Sequence, residues 1–182
     1  MASEPSGDVT RGEVERVLAA ALRVARPIIL IDGRSGSGKT ELGLAVASAL
    51  DAQLVHLDDL YPGWDGLEAG SERVAAEVLG VHRFRRWDWS TSAPAETVTV
   101  DRTLPIVIEG SGALSRANRA LATLGVWVEL DEPTRKARAL ARDGEMFAPH
   151  WDDWGAQEQR FFDRERPDLL ADVRVDGARI LE

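Results

Sequence analysis

A glycine-rich run near the start of the chain has the composition and spacing of a phosphate-binding loop. It reads Gly33-Arg34-Ser35-Gly36-Ser37-Gly38-Lys39-Thr40 and matches the pattern G-x-x-x-x-G-K-[ST] in full. Glycines let backbone N–H groups face a phosphate with no Cβ in the way, and Lys39 adds a compact positive charge. We therefore expect ATP to bind at Gly33, Ser35, Gly36, Ser37, Gly38, Lys39 and Thr40. We expect Lys39 to act in catalysis as well, and the Thr40 hydroxyl to bind Mg²⁺.

A second group suited to Mg²⁺ lies at the end of an apolar run. Ile106-Val107-Ile108 has the character of a buried strand, and Glu109 follows it directly. In P-loop folds, a carboxylate at the end of a neighbouring strand holds magnesium, directly or through water. We expect Glu109 to have this role rather than to be a solvated strand terminus.

Two adjacent acids, Asp58 and Asp59, follow the apolar segment 53–57. Neighbouring carboxylates raise each other's proton affinity, so one of them is suited to accept the proton of a substrate hydroxyl. Aspartate also caps turns, and we expect one of the two to do so. The chemistry of the two residues does not decide which acid is the base.

Three arginines recur along one predicted helix. Arg135, Arg138 and Arg142 are spaced at i, i+3 and i+7 and therefore share a helix face. A row of guanidinium groups can neutralise the charge that develops on a transferred phosphoryl group. The alternative is a solvated helix face. Beside a P-loop we favour the phosphate role, with Arg138 at the nucleotide and Arg142 in catalysis.

The segment Arg83-Phe84-Arg85-Arg86-Trp87-Asp88-Trp89 concentrates arginine and tryptophan, which are common in binding sites. We expect Arg86 and Asp88 to contact the substrate, with Asp88 suited to sugar hydroxyls and the arginines suited to an anionic group. The alternative is that the arginines pair with glutamates while Trp87 and Trp89 pack in the core.

Short apolar runs alternate with helical periodicities along the chain. Strands are expected at 28–31, 53–57, 106–108, 125–130 and 172–175, with a short strand or hairpin arm at 98–100. Helices are expected from a capping box at Thr10 to before Pro27, from about Gly38 to Leu50, at 71–79, from 133 to about 142 and at 154–164. This alternation predicts an α/β fold with a doubly wound parallel sheet of about five strands and helices on both faces. Ligands then bind at the carboxyl ends of the strands.

The composition of the chain indicates how many domains it forms and which classes of partner it disfavours. The chain has 182 residues, a net charge of −9 and no cysteine. Residues 1–182 are expected to form one domain, with residues 1–9 disordered. The acidic balance disfavours nucleic acid and anionic membranes, and the lack of cysteine excludes disulfides and thiol catalysis. We find no membrane span and no secretory signal, so we expect a cytoplasmic protein with a small-molecule partner. The sequence leaves the oligomeric state open.

Taken in order, these motifs resemble those of uridine kinase-like P-loop kinases, a group that includes nicotinamide riboside kinases, pantothenate kinases and phosphoribulokinase-type enzymes. The resemblance spans residues 28–143 and rests on the P-loop, Asp58-Asp59-Leu60-Tyr61, Ile108-Glu109-Gly110 and Arg135-x-x-Arg138-x-x-x-Arg142-Asp143. It implies that Asp58 is the general base and that Tyr61 lies at the substrate. It also implies that Glu109 belongs to the magnesium site, and that Arg142 and residues 143–153 belong to a small lid.

The motifs and the resemblance together predict transfer of the γ-phosphate of ATP to a hydroxyl of a small metabolite, with a nucleoside as the first candidate. A kinase for an anionic acceptor, such as a nucleotide or sugar acid, is an alternative that Arg83, Arg85 and Arg86 would suit. A non-catalytic nucleotide-binding module is a third possibility. The N-K-x-D element usual in guanine-specific switches does not occur in the sequence.

Overall fold

A computed structural model of the chain describes residues 7–180. The strands are β1 (Ile28–Gly33), β2 (Gln53–His56), β3 (Arg83–Asp88), β4 (Ala93–Thr99), β5 (Ile106–Glu109), β6 (Leu124–Glu129) and β7 (Val173–Asp176). The α-helices are α1 (Gly7–Ala21), α2 (Lys39–Leu50), α3 (Leu67–Arg73), α4 (Arg116–Arg119), α5 (Glu132–Phe147), α6 (Trp151–Glu165) and α7 (Pro167–Leu170). Short 3₁₀ turns occur at Leu57–Asp59, Ala148–His150 and Gly177–Arg179.

Five of these strands form one parallel sheet in the order β2-β5-β1-β6-β7. The predicted doubly wound sheet is thereby confirmed, with β1 at its centre. Because the strands are parallel, the carboxyl ends of β1, β2 and β5 lie at the same edge. The P-loop follows β1 at this edge, while Glu109 and His56 are the last residues of β5 and β2.

Side chains that alternate along β1 separate two apolar layers. Ile29 and Ile31 belong to a buried cluster with Leu42 of α2, whereas Leu30 belongs to a second cluster with Phe161 of α6. Both faces of the sheet are thus covered by helices, as the continuous apolar character of the central strands predicted.

The segment between α3 and β5 departs most from the sequence-based expectation. The helix predicted at 71–79 begins earlier, at Leu67, and continues beyond α3 as a π-helical stretch, Val74–Val81. Strands β3 and β4 then form a separate antiparallel hairpin, of which only an arm at 98–100 was expected.

Residues 143–153, expected to form a lid, are mostly helical. Gly144 interrupts α5 with φ 54° and ψ −134°, and a 3₁₀ turn at Ala148–His150 leads into α6. Of residues 1–9, expected to be disordered, residues 7–9 belong to α1 and residues 1–6 lie outside the described part of the chain. Within residues 7–180, no helix combines the length and the apolar character needed to cross a bilayer.

Candidate active site

A cavity of about 860 Å³ opens where the carboxyl ends of β2 and β5 meet the P-loop. The P-loop side of this cavity includes Lys39 and Thr40, and its acidic side includes Asp58 and Glu109. A third part of the lining is an aromatic wall, which consists of Tyr61, Trp64, Trp89, Phe147 and Trp154. Phosphate-binding groups, carboxylates and an apolar surface therefore share one space.

The P-loop has the backbone that its glycines predict. Gly36 and Gly38 adopt φ values of 80° and 100°, in the region that favours glycine. A Cβ at Gly36 would collide with the carbonyl oxygen of Arg135, because α5 approaches the loop closely there. Lys39 begins α2, is buried, and donates from Nζ to the carbonyl oxygen of Arg34 at 3.1 Å. This cradle, with the N-terminus of α2 behind it, fits the phosphates of a nucleotide.

Glu109 is a buried carboxylate held by two neighbours. Its Oε1 accepts a hydrogen bond from the Thr40 hydroxyl at 3.3 Å and lies 2.5 Å from Nδ1 of His56. The hydrogen bond to Glu109 raises the pKa of His56. The part of the chain that the structure describes contains no group of three or more potential metal-ligating side chains. Thr40 and Glu109 present a hydroxyl and a carboxylate oxygen, the kind of ligand that Mg²⁺ prefers.

Asp58 and Asp59 have different surroundings. Asp58 lines the cavity and is exposed to solvent, although protein atoms crowd its carboxyl group and partly desolvate it. This desolvation, with the nearby charge of Glu109, raises the pKa of Asp58. Asp59 is absent from the lining and accepts a hydrogen bond from Arg86 at 2.8 Å. Of the two acids, only Asp58 faces the space where a substrate would bind.

Only two of the three arginines of α5 line the cavity. Arg138 and Arg142 line the cavity, where Arg142 pairs with Asp143 at 2.7 Å and Arg138 donates to the carbonyl oxygen of Gly177. Arg135 is buried beneath the P-loop and lies outside the lining. Its guanidinium donates to the carbonyl oxygens of Leu130 and Ser35, both at 3.1 Å. The shared helix face predicted for all three therefore holds only for Arg138 and Arg142.

The structure does not bring Arg86 and Asp88 into the cavity. Arg86 pairs with Asp59 and Glu96, and it occupies the exposed face of the hairpin. Asp88 accepts hydrogen bonds from Ser90 and Thr91 in the hairpin turn, and these bonds lower its pKa to about 2. Both side chains expected at the substrate are held by protein partners outside the cavity lining.

Three further observations concern side chains that the sequence left without a role. Trp64 and Trp89 face each other with ring centroids 4.8 Å apart, and Trp64 also stacks on Phe147 at 5.6 Å. Trp154 lines the cavity beside them. His56 had no assigned function and lies in the cavity against Glu109. The abundance of tryptophan was the one sequence signal for the aromatic wall.

Tyr61 lies in the aromatic wall but is oriented by the fold. Its hydroxyl donates to the carbonyl oxygen of Ser111 at 2.7 Å, and its ring packs edge-on against Trp154. Its ring therefore borders the cavity while its hydroxyl is occupied by the backbone.

Comparison with solved structures identifies the architecture. The chain superimposes on a possible uridine kinase from Bacillus stearothermophilus with a TM-score of 0.64 and 20% identity, over 91% of this chain and 98% of that one. A gluconokinase from Sinorhizobium meliloti 1021 gives a TM-score of 0.50 and 22% identity, over 85% and 87% of the two chains. This chain has the fold of P-loop small-molecule kinases. At these identities the likeness concerns the fold.

Sequence comparison gives only short matches. A stretch of 52 residues is 36% identical to a tRNA dimethylallyltransferase from Paenarthrobacter aurescens, and 53 residues are 34% identical to the enzyme of that name from Chlamydia pneumoniae. Each match covers 29% of this chain and only 17% and 15% of those proteins. No family model matches the chain.

Proposed function

We propose that this protein is an ATP- and Mg²⁺-dependent kinase that phosphorylates a hydroxyl group of a neutral small molecule. One observation carries the proposal: the P-loop and the carboxyl group of Asp58 open into the same cavity, next to an aromatic wall. A phosphate donor bound at the loop and an acceptor bound at the wall would meet in front of Asp58. The volume suits a pair of small ligands.

The roles of the residues follow from the chemistry of phosphoryl transfer. Lys39, Arg138 and Arg142 neutralise charge on the phosphates, since the protein acts mainly by positioning groups and stabilising charge. Asp58 orients the acceptor hydroxyl and takes its proton, a task that its raised pKa favours. Thr40 and Glu109 would hold Mg²⁺, which supplies further neutralisation of the phosphate oxygens when bound.

The character of the acceptor is inferred from the cavity wall. Trp64, Trp89 and Phe147 offer flat apolar surfaces, which suit a nucleoside or another hydroxylated compound with a planar portion. Two of the three arginines that would suit an anionic acceptor already have partners. Arg85 donates to a backbone carbonyl of the hairpin, and Arg86 pairs with Glu96 of the hairpin and with Asp59 of the turn after β2. These partners support a neutral acceptor over a nucleotide or sugar acid.

Two alternative functions compete with the proposed kinase activity. The short sequence matches raise the possibility of group transfer to tRNA, but the net charge of −9 disfavours a nucleic acid substrate. A nucleotide-binding module without catalysis would bind ATP and transfer nothing.

The decisive test is a screen of metabolite pools with the protein, ATP and Mg²⁺, read by mass spectrometry for compounds that gain one phosphoryl group. We expect a neutral hydroxylated product that is not formed by Lys39→Ala. Lys136→Ala, which alters the other lysine at an exposed site on α5, serves as the matched control and should retain activity. ATP binding without any phosphorylated product would support the regulatory module instead.

A further inference from the structure

Helix α6 contacts both halves of the cavity through adjacent residues. Glu158 is a buried carboxylate, and its Oε1 accepts hydrogen bonds from the Ser35 backbone N–H at 2.7 Å and the Ser35 hydroxyl at 2.8 Å. The same oxygen accepts from the Ser111 hydroxyl at 2.8 Å and from Nε1 of Trp154 at 3.2 Å. Its three partner residues all line the cavity, whereas Glu158 lies behind them. The carboxylate therefore fixes cavity residues without reaching the ligand space itself.

The outer turn of the P-loop is held by α6 at a second point. Arg34 donates to the side-chain oxygen of Gln159, and its guanidinium lies 5.2 Å from the ring centre of Phe162. From the opposite side, Arg135 of α5 donates to the carbonyl oxygen of Ser35. Residues 34 and 35 are thus tied to two helices that lie far away in the sequence. In this arrangement the Ser35 N–H points to Glu158 rather than to a phosphate.

The neighbouring residue on α6 reaches the acceptor side. Nε2 of Gln157 donates to the carbonyl oxygen of Trp64 at 2.7 Å, and its side-chain oxygen accepts from the Leu67 N–H at 3.4 Å. Trp64 belongs to the aromatic wall. Because adjacent helical residues point in directions about 100° apart, one turn of α6 can hold the P-loop with Glu158 and the wall with Gln157.

We propose that Glu158 is a positioning residue for phosphoryl transfer. By holding Ser35, it fixes the position of the P-loop relative to the aromatic wall. This inference rests on the proposed function for its kinetic consequences. A donor and an acceptor must approach in line and at short distance, and a misplacement of about 1 Å can cost roughly 100-fold in rate. A buried carboxylate with four donors fixes such a distance better than a flexible loop does, because each donor restricts it in a different direction.

The test compares Glu158→Gln with Asp153→Asn, which removes an exposed carboxylate from the same helix. We expect Glu158→Gln to lower kcat about 10- to 100-fold while the Kd for Mg·ADP and the melting temperature change little. Asp153→Asn should match the wild type in all three. The double variant Ser35→Ala with Glu158→Gln should be no slower than the slower single variant, because both changes remove one interaction. Gln157→Ala should instead raise the KM for the acceptor.

Glutamine removes the charge but can keep the four hydrogen bonds through its amide oxygen, so Glu158→Ala, which removes the acceptor, is measured as well. A normal kcat in both variants would overturn the proposal, as would a loss of kcat that is merely proportional to the fraction of unfolded protein. Amide hydrogen exchange of residues 34–37 gives an independent readout, since it needs no acceptor. Exchange there should be faster in Glu158→Ala than in the wild type, and unchanged exchange in that variant would also contradict the proposal. If the wild type phosphorylates no acceptor, the proposed function fails separately, and the exchange rates still decide whether Glu158 orders the loop.

Discussion

Nδ1 of His56 lies 2.5 Å from Oε1 of Glu109, the same oxygen that accepts the hydroxyl of Thr40. His56 is the last residue of β2 and Glu109 the last of β5, and the two are register partners in neighbouring parallel strands. The sheet itself therefore brings them together. The contact with His56 restricts the orientation of the Glu109 carboxylate. A neighbour that orients a metal-binding side chain in this way changes the affinity of that side chain for the metal.

From this contact we expect His56→Ala to raise the Mg²⁺ concentration needed for half-maximal activity by about 10- to 100-fold. The relevant measurement is phosphoryl transfer at saturating ATP over a series of magnesium concentrations. His82→Asn is a suitable control, because His82 lies at the start of the hairpin with φ 57°, a conformation that asparagine tolerates. An unchanged magnesium requirement in His56→Ala would show that the histidine does not support the metal site.

The second prediction concerns the two adjacent aspartates, Asp58 and Asp59. Asp58→Asn keeps the shape of the side chain and removes its basicity, so we expect kcat to fall by about 10²–10⁴-fold, with ATP affinity retained. Asp59→Asn removes only the partner of Arg86 outside the cavity and should lose far less. Steady-state kinetics of both variants, with ATP binding measured separately, distinguish the roles. A nearly normal Asp58→Asn beside an inactive Asp59→Asn would assign the base to Asp59.

Features of the site that depend on local sequence were predicted well. The P-loop could be recognised because its glycines, Lys39 and Thr40 are contiguous, and because an apolar strand precedes them. Glu109 could be located because a short apolar run ends there. In both places the backbone of a few residues determines where the side chain lies, and neighbouring parallel strands bring their ends together.

Features that depend on distant contacts were not predicted. Glu158 meets Ser35 across 123 residues of sequence, and no local pattern signals that approach. Arg135 shares a helical spacing with Arg138, but the close passage of α5 under the P-loop turns it into a structural residue. Asp88 is the last residue of a strand, as Glu109 is, yet that strand belongs to a hairpin outside the main sheet.

The aromatic wall leads to a third prediction, which concerns the acceptor. Trp64→Ala should raise the KM for the acceptor by at least about fivefold, because truncating a packed tryptophan in a binding pocket commonly costs more than about 1 kcal/mol. Arg85→Ala changes a residue that binds the carbonyl oxygens of Pro94 and Ala95 across the hairpin. We expect it to leave the acceptor KM unchanged. The opposite pattern would favour an anionic acceptor bound by the hairpin.

The last prediction concerns a buried acid beneath the P-loop. Asp32 precedes Gly33 at the end of β1, and its side chain accepts from the N–H groups of Gly33 at 2.7 Å, Gly112 at 3.0 Å and Leu114 at 2.8 Å. It thus ties β1 to the loop that follows β5. Burial raises the pKa of Asp32 from 3.8 to about 6, although the three hydrogen bonds act in the opposite direction.

This raised pKa makes the stability of the protein depend on pH in a defined direction. Between about pH 6 and pH 3.8 the folded protein binds a proton at Asp32 that the unfolded chain does not yet bind. The contribution of Asp32 to the free energy of unfolding therefore grows as pH falls through this window and is lost as pH rises through about 6. A difference of about two pKa units corresponds to roughly 3 kcal/mol.

The measurement is chemical denaturation of the wild type and Asp32→Asn at several pH values between about 4 and 7. All other titrating groups are common to the two proteins, so the difference between their unfolding free energies isolates the carboxyl group. The wild type should gain stability relative to Asp32→Asn as pH is lowered, by up to about 3 kcal/mol. Parallel curves would show that Asp32 titrates alike in the folded and unfolded states. A wild type that loses stability relative to the variant would mean that the three hydrogen bonds outweigh burial and keep Asp32 ionised.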